Sequence, residues 1–281
     1  MRVAQLGAGQ PSVAIVGAIH GDEPCGARAI ERLIEDDPPV RRPVKLIIAN
    51  AEALERDVRY VDADLNRAFD DGVPEDALER DLAHQLASEL RGMTAISIHS
   101  TQSYPYPFAI ASRIDDYARD IASKLSVRAL VDTGSPNLGR VFEAEADIIE
   151  VEAGLQKSDA ATENAYRLVR EFLTATRVLP GETTAGELPV YRVGEPIEKP
   201  DASAYEVFVE NFTRVEANEP FAAADGTPLS EPNPFYPILL SSYGYADIFG
   251  FRGQKLGTVT PGQRESDGAS STRSRSRSNA Q

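Results

Sequence analysis

Three side chains that commonly bind metal ions stand out in this sequence of 281 residues, which contains only three histidines. His20 and Glu23 are three positions apart, and His99 follows much later in the chain. Both histidines come directly after apolar, strand-like runs, and the carboxyl ends of strands are the usual ligand site of an α/β sheet. Two imidazoles and one carboxylate, with a fourth position open for water, are a recurrent ligand set of catalytic zinc. The sequence therefore predicts a zinc hydrolase.

A polar segment from Arg59 to Arg67 lies between the two ligand regions and follows the second predicted strand. Cleavage of an anionic substrate requires fixed cations that hold carboxylates and stabilise a developing oxyanion. Arginine suits this role because its planar guanidinium group binds a carboxylate through two parallel hydrogen bonds. The alternative interpretation is that Arg59 and Arg67 pair with the neighbouring aspartates in an ion network.

A third candidate region is an apolar strand that ends in acidic residues and a glycine, from Ile148 to Gly154. Glu150 and Glu152 lie on the same face of this strand, because side chains alternate with a period of two. Only their position along the strand distinguishes them. Glu152 is closer to the carboxyl edge of the sheet, so it is the better candidate for a general base.

Strand-like and helix-like segments alternate from the start of the chain to about residue 176. Such alternation predicts a largely parallel sheet with helices on both faces. We predict strands at 12–18, 44–49, 95–98, 108–111 and 148–151, and helices at 24–35, 75–90, 115–125 and 159–174.

The composition changes after Pro180 and Gly181, where short β-like runs such as 205–209 are separated by proline, glycine and aromatic residues. This pattern predicts a small all-β domain. The end of the chain is rich in serine and arginine and lacks an apolar pattern, which is typical of disorder. The predicted organisation is a catalytic domain at 1–179, a β domain covering the active site at 180–258 and a tail at 259–281.

The net charge of −15 argues against a nucleic-acid-binding protein, because phosphate attraction requires a basic surface. No apolar run reaches the roughly 18 residues that a membrane span requires, and no signal-peptide pattern is visible at the N-terminus. Cys25 is the only cysteine, so a reducing cytoplasm is the expected compartment. An acidic chain that is poor in lysine and free of tryptophan resembles the proteins of halophilic archaea.

The motifs occur in a specific order: His-Gly-Asp-Glu at 20–23, Asp-Leu-Asn-Arg at 64–67, the isolated His99 and Val-Glu-Ala-Gly at 151–154. Together they resemble the succinylglutamate desuccinylase/aspartoacylase family, which is similar in fold to the zinc carboxypeptidases. The resemblance covers roughly residues 12–176, and the predicted β domain agrees with it in position and size. It implies a mixed, largely parallel sheet with helices on both faces, followed by a small all-β domain.

The resemblance implies one zinc ion per chain, bound by His20, Glu23 and His99. It also implies that Glu152 activates a water molecule on the zinc ion. Arg59 then polarises the scissile carbonyl group.

The resemblance also implies a set of substrate contacts. Asn66 and Arg67 bind a substrate carboxylate, and Arg140 stands near the place of a further substrate-binding arginine, although its spacing to the predicted base departs from the family pattern. A tyrosine of the β domain reaches the site, with Tyr245 as the better positional match and Tyr243 as the alternative. Where the aspartoacylase branch has Val-Gly-Pro after the base, this chain has Ala-Gly-Leu, which leaves the identity of the substrate open.

The predicted function is zinc-dependent hydrolysis of the amide bond of a small anionic N-acyl amino acid, which releases a carboxylic acid and a free amino acid. One alternative is a zinc metallocarboxypeptidase, which requires an open groove for a peptide. The other is a catalytically silent, zinc-containing binding protein. A homo-oligomer is compatible with the sequence, whereas nucleic-acid and membrane partners are not expected.

Overall fold

The computed structural model of the protein describes residues 1–134 and 139–261, which form thirteen strands and five α-helices. The strands are β1 (Arg2–Leu6), β2 (Val13–Gly17), β3 (Val44–Ile48), β4 (Thr94–Thr101), β5 (Phe108–Ala111), β6 (Leu130–Asp132), β7 (Asp147–Leu155), β8 (Leu188–Glu198), β9 (Tyr205–Val207), β10 (Pro220–Ala224), β11 (Thr227–Ser230), β12 (Tyr236–Ile238) and β13 (Ile248–Val259). The helices are α1 (Cys25–Asp36), α2 (Ala51–Arg56), α3 (Leu78–Leu90), α4 (Asp116–Ala122) and α5 (Asp159–Ala175). Most of the predicted tail, residues 262–281, lies outside the described residues.

Ten of the described strands form one mixed sheet in the order β1-β3-β2-β4-β7-β5-β6-β8-β13-β12. The strands from β3 through β2 and β4 to β7 are parallel, and so are β5, β6 and β8. The other pairs are antiparallel, including β5 with β7 beside the centre of the sheet. This topology confirms the predicted mixed, largely parallel sheet.

Helices cover both faces of the sheet, as predicted. Helices α1, α4 and α5 pack into a core cluster on one face, and α3 packs into a second cluster on the other face. The residues of β2 alternate between the two clusters and are all buried, which is typical of a central parallel strand. None of the described helices is both long and apolar enough to cross a membrane.

Two glycines allow the start of α1 to lie against the end of β2. A Cβ atom on Gly17 would lie 2.6 Å from the backbone carbonyl carbon of Gly26, a distance at which the backbone must shift. Glu23 lies in the short connection between these two elements. The close contact therefore fixes the segment that carries Glu23 at the carboxyl edge of the sheet.

The large sheet continues beyond residue 180. Strand β8 pairs in parallel with β6, and β13 pairs with β8 along almost its whole length. The remaining strands of the C-terminal region form a three-stranded sheet, β11-β10-β9. Phe221 of this sheet packs in an apolar cluster with Ile197 and Phe249 of the large sheet. Strands on both sides of residue 180 therefore share one sheet. The division of the chain into domains at that residue stays a prediction.

Candidate active site

Nine of the predicted site residues line one cavity of about 560 Å³ at the carboxyl edge of β2, β4 and β7. The predicted residues around it are His20, Glu23, Arg59, Asn66, Arg67, His99, Arg140, Glu152 and Tyr245. Residues of the C-terminal region, from Leu239 to Ala246, line another part of the cavity. The size is that of a pocket for a small molecule.

His99 and Glu152 are brought side by side by the register of two parallel strands. Strand β4 was predicted to end before His99, but it continues to Thr101 because the polar residues at its end still pair with β7. In this register His99 is the direct partner of Glu152. The histidine therefore lies inside a strand, and the two strands hold the two side chains as neighbours.

His20, Glu23 and His99 form a buried cluster that can hold a metal ion. One ligand atom from each residue lies within 4.8 Å of the others. Nδ1 of His20 is 2.7 Å from one carboxylate oxygen of Glu23, and Nδ1 of His99 is 3.2 Å from the other oxygen. Both imidazoles thus present Nδ1 to the carboxylate of Glu23.

The opposite nitrogens of the two histidines also have partners. Nε2 of His20 lies 3.1 Å from a carboxylate oxygen of Asp64, and Nε2 of His99 lies 3.0 Å from the hydroxyl oxygen of Ser97. Partners of this kind fix the orientation of metal-binding imidazoles and increase the basicity of the binding nitrogen. The arrangement keeps both Nδ1 atoms directed at Glu23.

The charges of the cluster depend on each other. Burial opposes ionisation of Glu23, but the positive charges and hydrogen bonds of His20 and His99 outweigh it and hold the pKa of this carboxyl well below its usual range. Burial also opposes protonation of His20, but Glu23 and Asp64 outweigh it and raise its pKa to about 9. A bound metal ion therefore replaces protons that the cluster holds in its absence.

Glu152 differs from its neighbour Glu150 in that one of its oxygens is unused. Oε2 of Glu152 is buried and has no hydrogen-bond partner among the described residues. Both oxygens of Glu150 have partners, namely the side chains of Asn66 and Arg140. Burial, followed by the charges of Glu23 and Glu150, raises the pKa of Glu152 to about 7 against the opposing effect of His99. Glu150 is thus fully paired, whereas Glu152 has a free carboxylate oxygen.

Buried polar atoms without partners are concentrated at this cavity. In addition to Glu152 Oε2, they include Oδ1 of Asp22 and Nε of Arg140, and all three residues line the cavity. An unsatisfied buried polar atom costs about 1–3 kcal/mol, so proteins rarely retain one without a use for it. The cavity is built to receive polar groups that the protein itself does not supply.

Glu79 anchors the segment that carries the arginines. This carboxylate of α3 is fully buried and accepts hydrogen bonds from the backbone N–H groups of Val61, Asp62 and Ala63, at 2.7, 3.0 and 3.0 Å. It also accepts one from the side chain of Asn50 at 2.9 Å. These hydrogen bonds outweigh the effect of burial and lower the pKa of Glu79. One side chain thereby fixes the backbone just before the Asp-Leu-Asn-Arg turn.

We expect that Glu79→Gln destabilises the protein by about 2–4 kcal/mol, because the amide nitrogen cannot accept the backbone hydrogen bonds. Chemical denaturation measures this free energy. Glu89→Gln is the matched control, since Glu89 lies on the same helix and pairs with Lys45 outside the cavity. Equal stability of the two variants would show that Glu79 does not hold the segment.

Arg59 and Arg67 have different environments. Arg59 donates to Asp64 at 3.0 Å and to Glu23 at 3.3 Å, so part of the alternative ion network exists, although the side chain remains about half exposed at the cavity. Arg67 donates to the backbone oxygen of Asn66 and, among the described residues, has no carboxylate partner. Of the three arginines that line the cavity, Arg67 is therefore the one without a carboxylate partner in the described part of the chain.

Asn66 and Arg140 are held by the protein. The side-chain nitrogen of Asn66 donates to Glu150 at 3.1 Å, and its oxygen accepts from the backbone N–H of Val141 at 2.9 Å. Arg140 forms an ion pair with Glu150. The predicted contact of Asn66 with substrate stays a prediction, and the structure gives this residue a positioning role between two segments.

Tyr245 lines the cavity, whereas Tyr243 does not. The hydroxyl group of Tyr243 instead lies 3.4 Å from the backbone nitrogen of Tyr205, on the small sheet. The two tyrosines, which flank Gly244, therefore lie in different places. A contact between Tyr245 and a substrate stays a prediction. Of the two tyrosines, only Tyr245 lines the cavity in which a substrate would bind.

Sequence reasoning missed Ser97 and Glu79 and did not anticipate the pairing of Glu150 with Arg140. Ser97 is a polar residue inside an otherwise apolar strand, on the same face as His99, and this pattern could have indicated a partner. Glu79 is an acidic residue on the buried face of a helix. No local pattern connects Glu150 with Arg140, because the contact depends on the turn at 141–143.

The sequence is similar to a known protein family and to characterised relatives. The family model of the succinylglutamate desuccinylase/aspartoacylase catalytic domain matches residues 9–158. An N-acyl-aromatic-L-amino acid amidohydrolase (carboxylate-forming) of Xenopus tropicalis is 28% identical over 138 residues, 44% of each chain. An aspartoacylase of Rattus norvegicus is 34% identical over 82 residues, 28% of this chain and 25% of that protein. These alignments span less than half the length of the relatives.

Solved structures are similar over most of the chain. Murine aminoacylase 3 superimposes with a TM-score of 0.72 at 18% identity and covers 90% of this chain and 98% of its own. A succinylglutamate desuccinylase from Vibrio parahaemolyticus gives a TM-score of 0.67 at 20% identity and covers 90% and 86%. At these identities the likeness shows a common fold.

Proposed function

Since this chain belongs to the succinylglutamate desuccinylase/aspartoacylase family, we propose that it hydrolyses the amide bond of an N-acyl amino acid in a zinc-dependent reaction. The products are a carboxylic acid and a free amino acid. The observation that carries the proposal is the buried, unpartnered oxygen of Glu152 beside the cluster of His20, Glu23 and His99. A hydrolase needs such a base next to its metal ion, whereas a structural metal site does not.

The donor set fits a catalytic zinc ion. His20, Glu23 and His99 supply two nitrogens and a carboxylate, all buried, and Asp64 and Ser97 orient the two imidazoles. Three protein ligands leave a position free for water or substrate. When bound, zinc supplies Lewis-acid polarisation of a carbonyl group and lowers the pKa of water toward about 7.

Glu152 is the general base of the proposed reaction. Its free carboxylate oxygen accepts a proton from the attacking water and then delivers that proton to the amine that leaves. The cavity protects this exchange, because the oxygen is buried and no described side chain competes for it.

Two arginines act on the charges of the substrate. Arg59, held by Asp64 next to Glu23, donates to the oxyanion that develops on the scissile carbonyl group. Arg67 has no carboxylate partner among the described residues and binds the carboxylate of the amino acid. The substrate is then fixed at one end while its amide group lies beside Glu152.

The dimensions of the cavity favour a small substrate over a peptide. Residues from Leu239 to Ala246 of the C-terminal region line one side, and the volume of about 560 Å³ suits a molecule of a few tens of atoms at most. A metallocarboxypeptidase would need a groove that continues past these residues.

Release of free amino acid from three kinds of substrate tests the proposal. We expect hydrolysis of at least one of the two classes of N-acyl amino acid, N-acetyl and N-succinyl, by the zinc-loaded protein, loss of activity with a chelator, and no release from N-blocked pentapeptides. Release from the pentapeptides would favour a metallocarboxypeptidase. Stoichiometric zinc without hydrolysis of any amide would favour a silent binding protein.

A further inference from the structure

The carboxylates and guanidinium groups of the cavity are unequal in number. Three arginines line it, namely Arg59, Arg67 and Arg140, together with five acidic residues, Asp22, Glu23, Asp64, Glu150 and Glu152. A divalent metal ion brings this set to neutrality and leaves no excess of positive charge. The number of substrate carboxylates that the cavity can hold therefore depends on which arginines are already paired.

Glu150 forms an ion pair with Arg140. Glu150 is 1% exposed, on the cavity face of β7, and its second oxygen accepts from Arg140 while its first accepts from Asn66 at 3.1 Å. A substrate carboxylate that displaced Glu150 from Arg140 would leave a buried carboxylate without its cation, which is strongly unfavourable. Arg140 therefore offers no net positive charge to a second carboxylate.

Arg140 nevertheless keeps one donor for the substrate. Its Nε atom is buried, lacks a partner among the described residues and belongs to a side chain that lines the cavity. Because Glu150 neutralises the guanidinium group, this donor suits a neutral oxygen such as that of an amide or a hydroxyl group. Arg67, by contrast, carries a full charge with no carboxylate partner in the described part of the chain.

We propose that Glu150 is a specificity-determining residue that restricts the site to N-acyl amino acids with a single carboxylate. This inference rests on the proposed function and names its substrate class. The carboxylate of the amino acid binds Arg67, and both the side chain and the acyl group are uncharged. N-acyl aspartates, N-acyl glutamates and N-succinyl amino acids are poor substrates, because Glu150 neutralises Arg140 and thereby removes the cation that their second carboxylate would need.

N-acetylglutamine and N-acetylglutamate are the matched pair for the test, because they have the same shape and differ by one charge. We expect kcat/KM of the zinc-loaded wild-type protein to be at least about tenfold higher for N-acetylglutamine. An equal or higher value for N-acetylglutamate overturns the inference and leaves the proposed function intact. If neither compound is cleaved, calorimetric dissociation constants of the two uncleaved compounds decide the inference, and the wider panel of N-acyl amino acids decides the proposed function.

Glu150→Gln tests the residue itself. Glutamine keeps the hydrogen bond with Asn66 but frees the charge of Arg140, so we expect the preference for N-acetylglutamine to fall by about tenfold or more. Glu89→Gln removes one negative charge outside the cavity and leaves the ratio unchanged. A folded, zinc-loaded Glu150→Gln variant with the wild-type ratio overturns the inference. If this variant does not fold, the inference is decided by the kcat/KM values of the wild-type protein for N-acetylglutamine and N-acetylglutamate.

Discussion

Glu152→Gln is expected to lower kcat for an N-acyl amino acid by about 100- to 10,000-fold, the usual effect of losing a general base. Glutamine preserves the size of the side chain, but its amide accepts no proton from water at neutral pH. The affected oxygen is buried and unpartnered among the described residues, so no neighbour is positioned to replace it. Zinc content stays at one ion per chain, because Glu152 is not among the three proposed ligands.

The matched comparison is Glu150→Gln, two residues earlier on the same strand. Both oxygens of Glu150 already bind protein groups, so this variant is expected to lose far less kcat with a substrate whose side chain and acyl group are uncharged. Steady-state rates and zinc content of the two variants decide between the two carboxylates. Equal losses of kcat would refute the assignment of the base.

The pH dependence of the wild type follows from the same residue. Burial and the nearby carboxylates raise the pKa of Glu152 to about 7, and the positive charge of a bound zinc ion lowers it from there. The base acts only when deprotonated, so kcat/KM falls with decreasing pH below that pKa. The residual kcat/KM of Glu152→Gln is expected not to show this fall with decreasing pH.

Glu23→Ala is expected to weaken zinc binding by more than about 100-fold, which exceeds the usual effect of losing a residue that only orients a ligand. The variant loses a direct ligand and the carboxylate that both Nδ1 atoms face. It also leaves the backbone N–H of Ser100 without its acceptor, which lies at 3.1 Å. Competition with a chelator of known affinity measures the change.

Asp64→Asn is the comparison variant, for which we expect a smaller loss of zinc affinity. Asp64 contacts the far nitrogen of His20 at 3.1 Å, so its loss is expected to weaken zinc binding by about 10- to 100-fold. Glu89→Gln is expected to have no effect. A Glu23→Ala variant that binds zinc as tightly as the wild type would place the metal elsewhere.

The central strands and the metal cluster could be predicted from the sequence because their signals are local. The run from Val13 to Gly17 is apolar throughout and precedes His20 after a short turn, which indicates both a buried strand and a ligand at its end. His99 was identified for the same reason. The end of β4 was predicted too early, since Ser100 and Thr101 are polar residues whose strand conformation depends on pairing with β7.

Contacts that depend on distant segments could not be predicted. The ion pair between Arg140 and Glu150 crosses a turn, and the anchoring of residues 61–63 by Glu79 joins a loop to a helix. The pairing of β6 with β8 in one sheet could not be predicted either, because the sequence indicates where strands occur and not which strands pair. The substrate preference depends on these contacts, and this is why the sequence left it open.

Zinc titration of the metal-free protein, with hydrolysis of an N-acyl amino acid as the readout, tests the central claim most directly. We expect activity to be absent without metal, to rise in proportion to added zinc and to reach a plateau at one ion per chain. Hydrolysis that is independent of zinc, or one bound zinc ion per chain without hydrolysis of any N-acyl amino acid, would contradict the proposed active site.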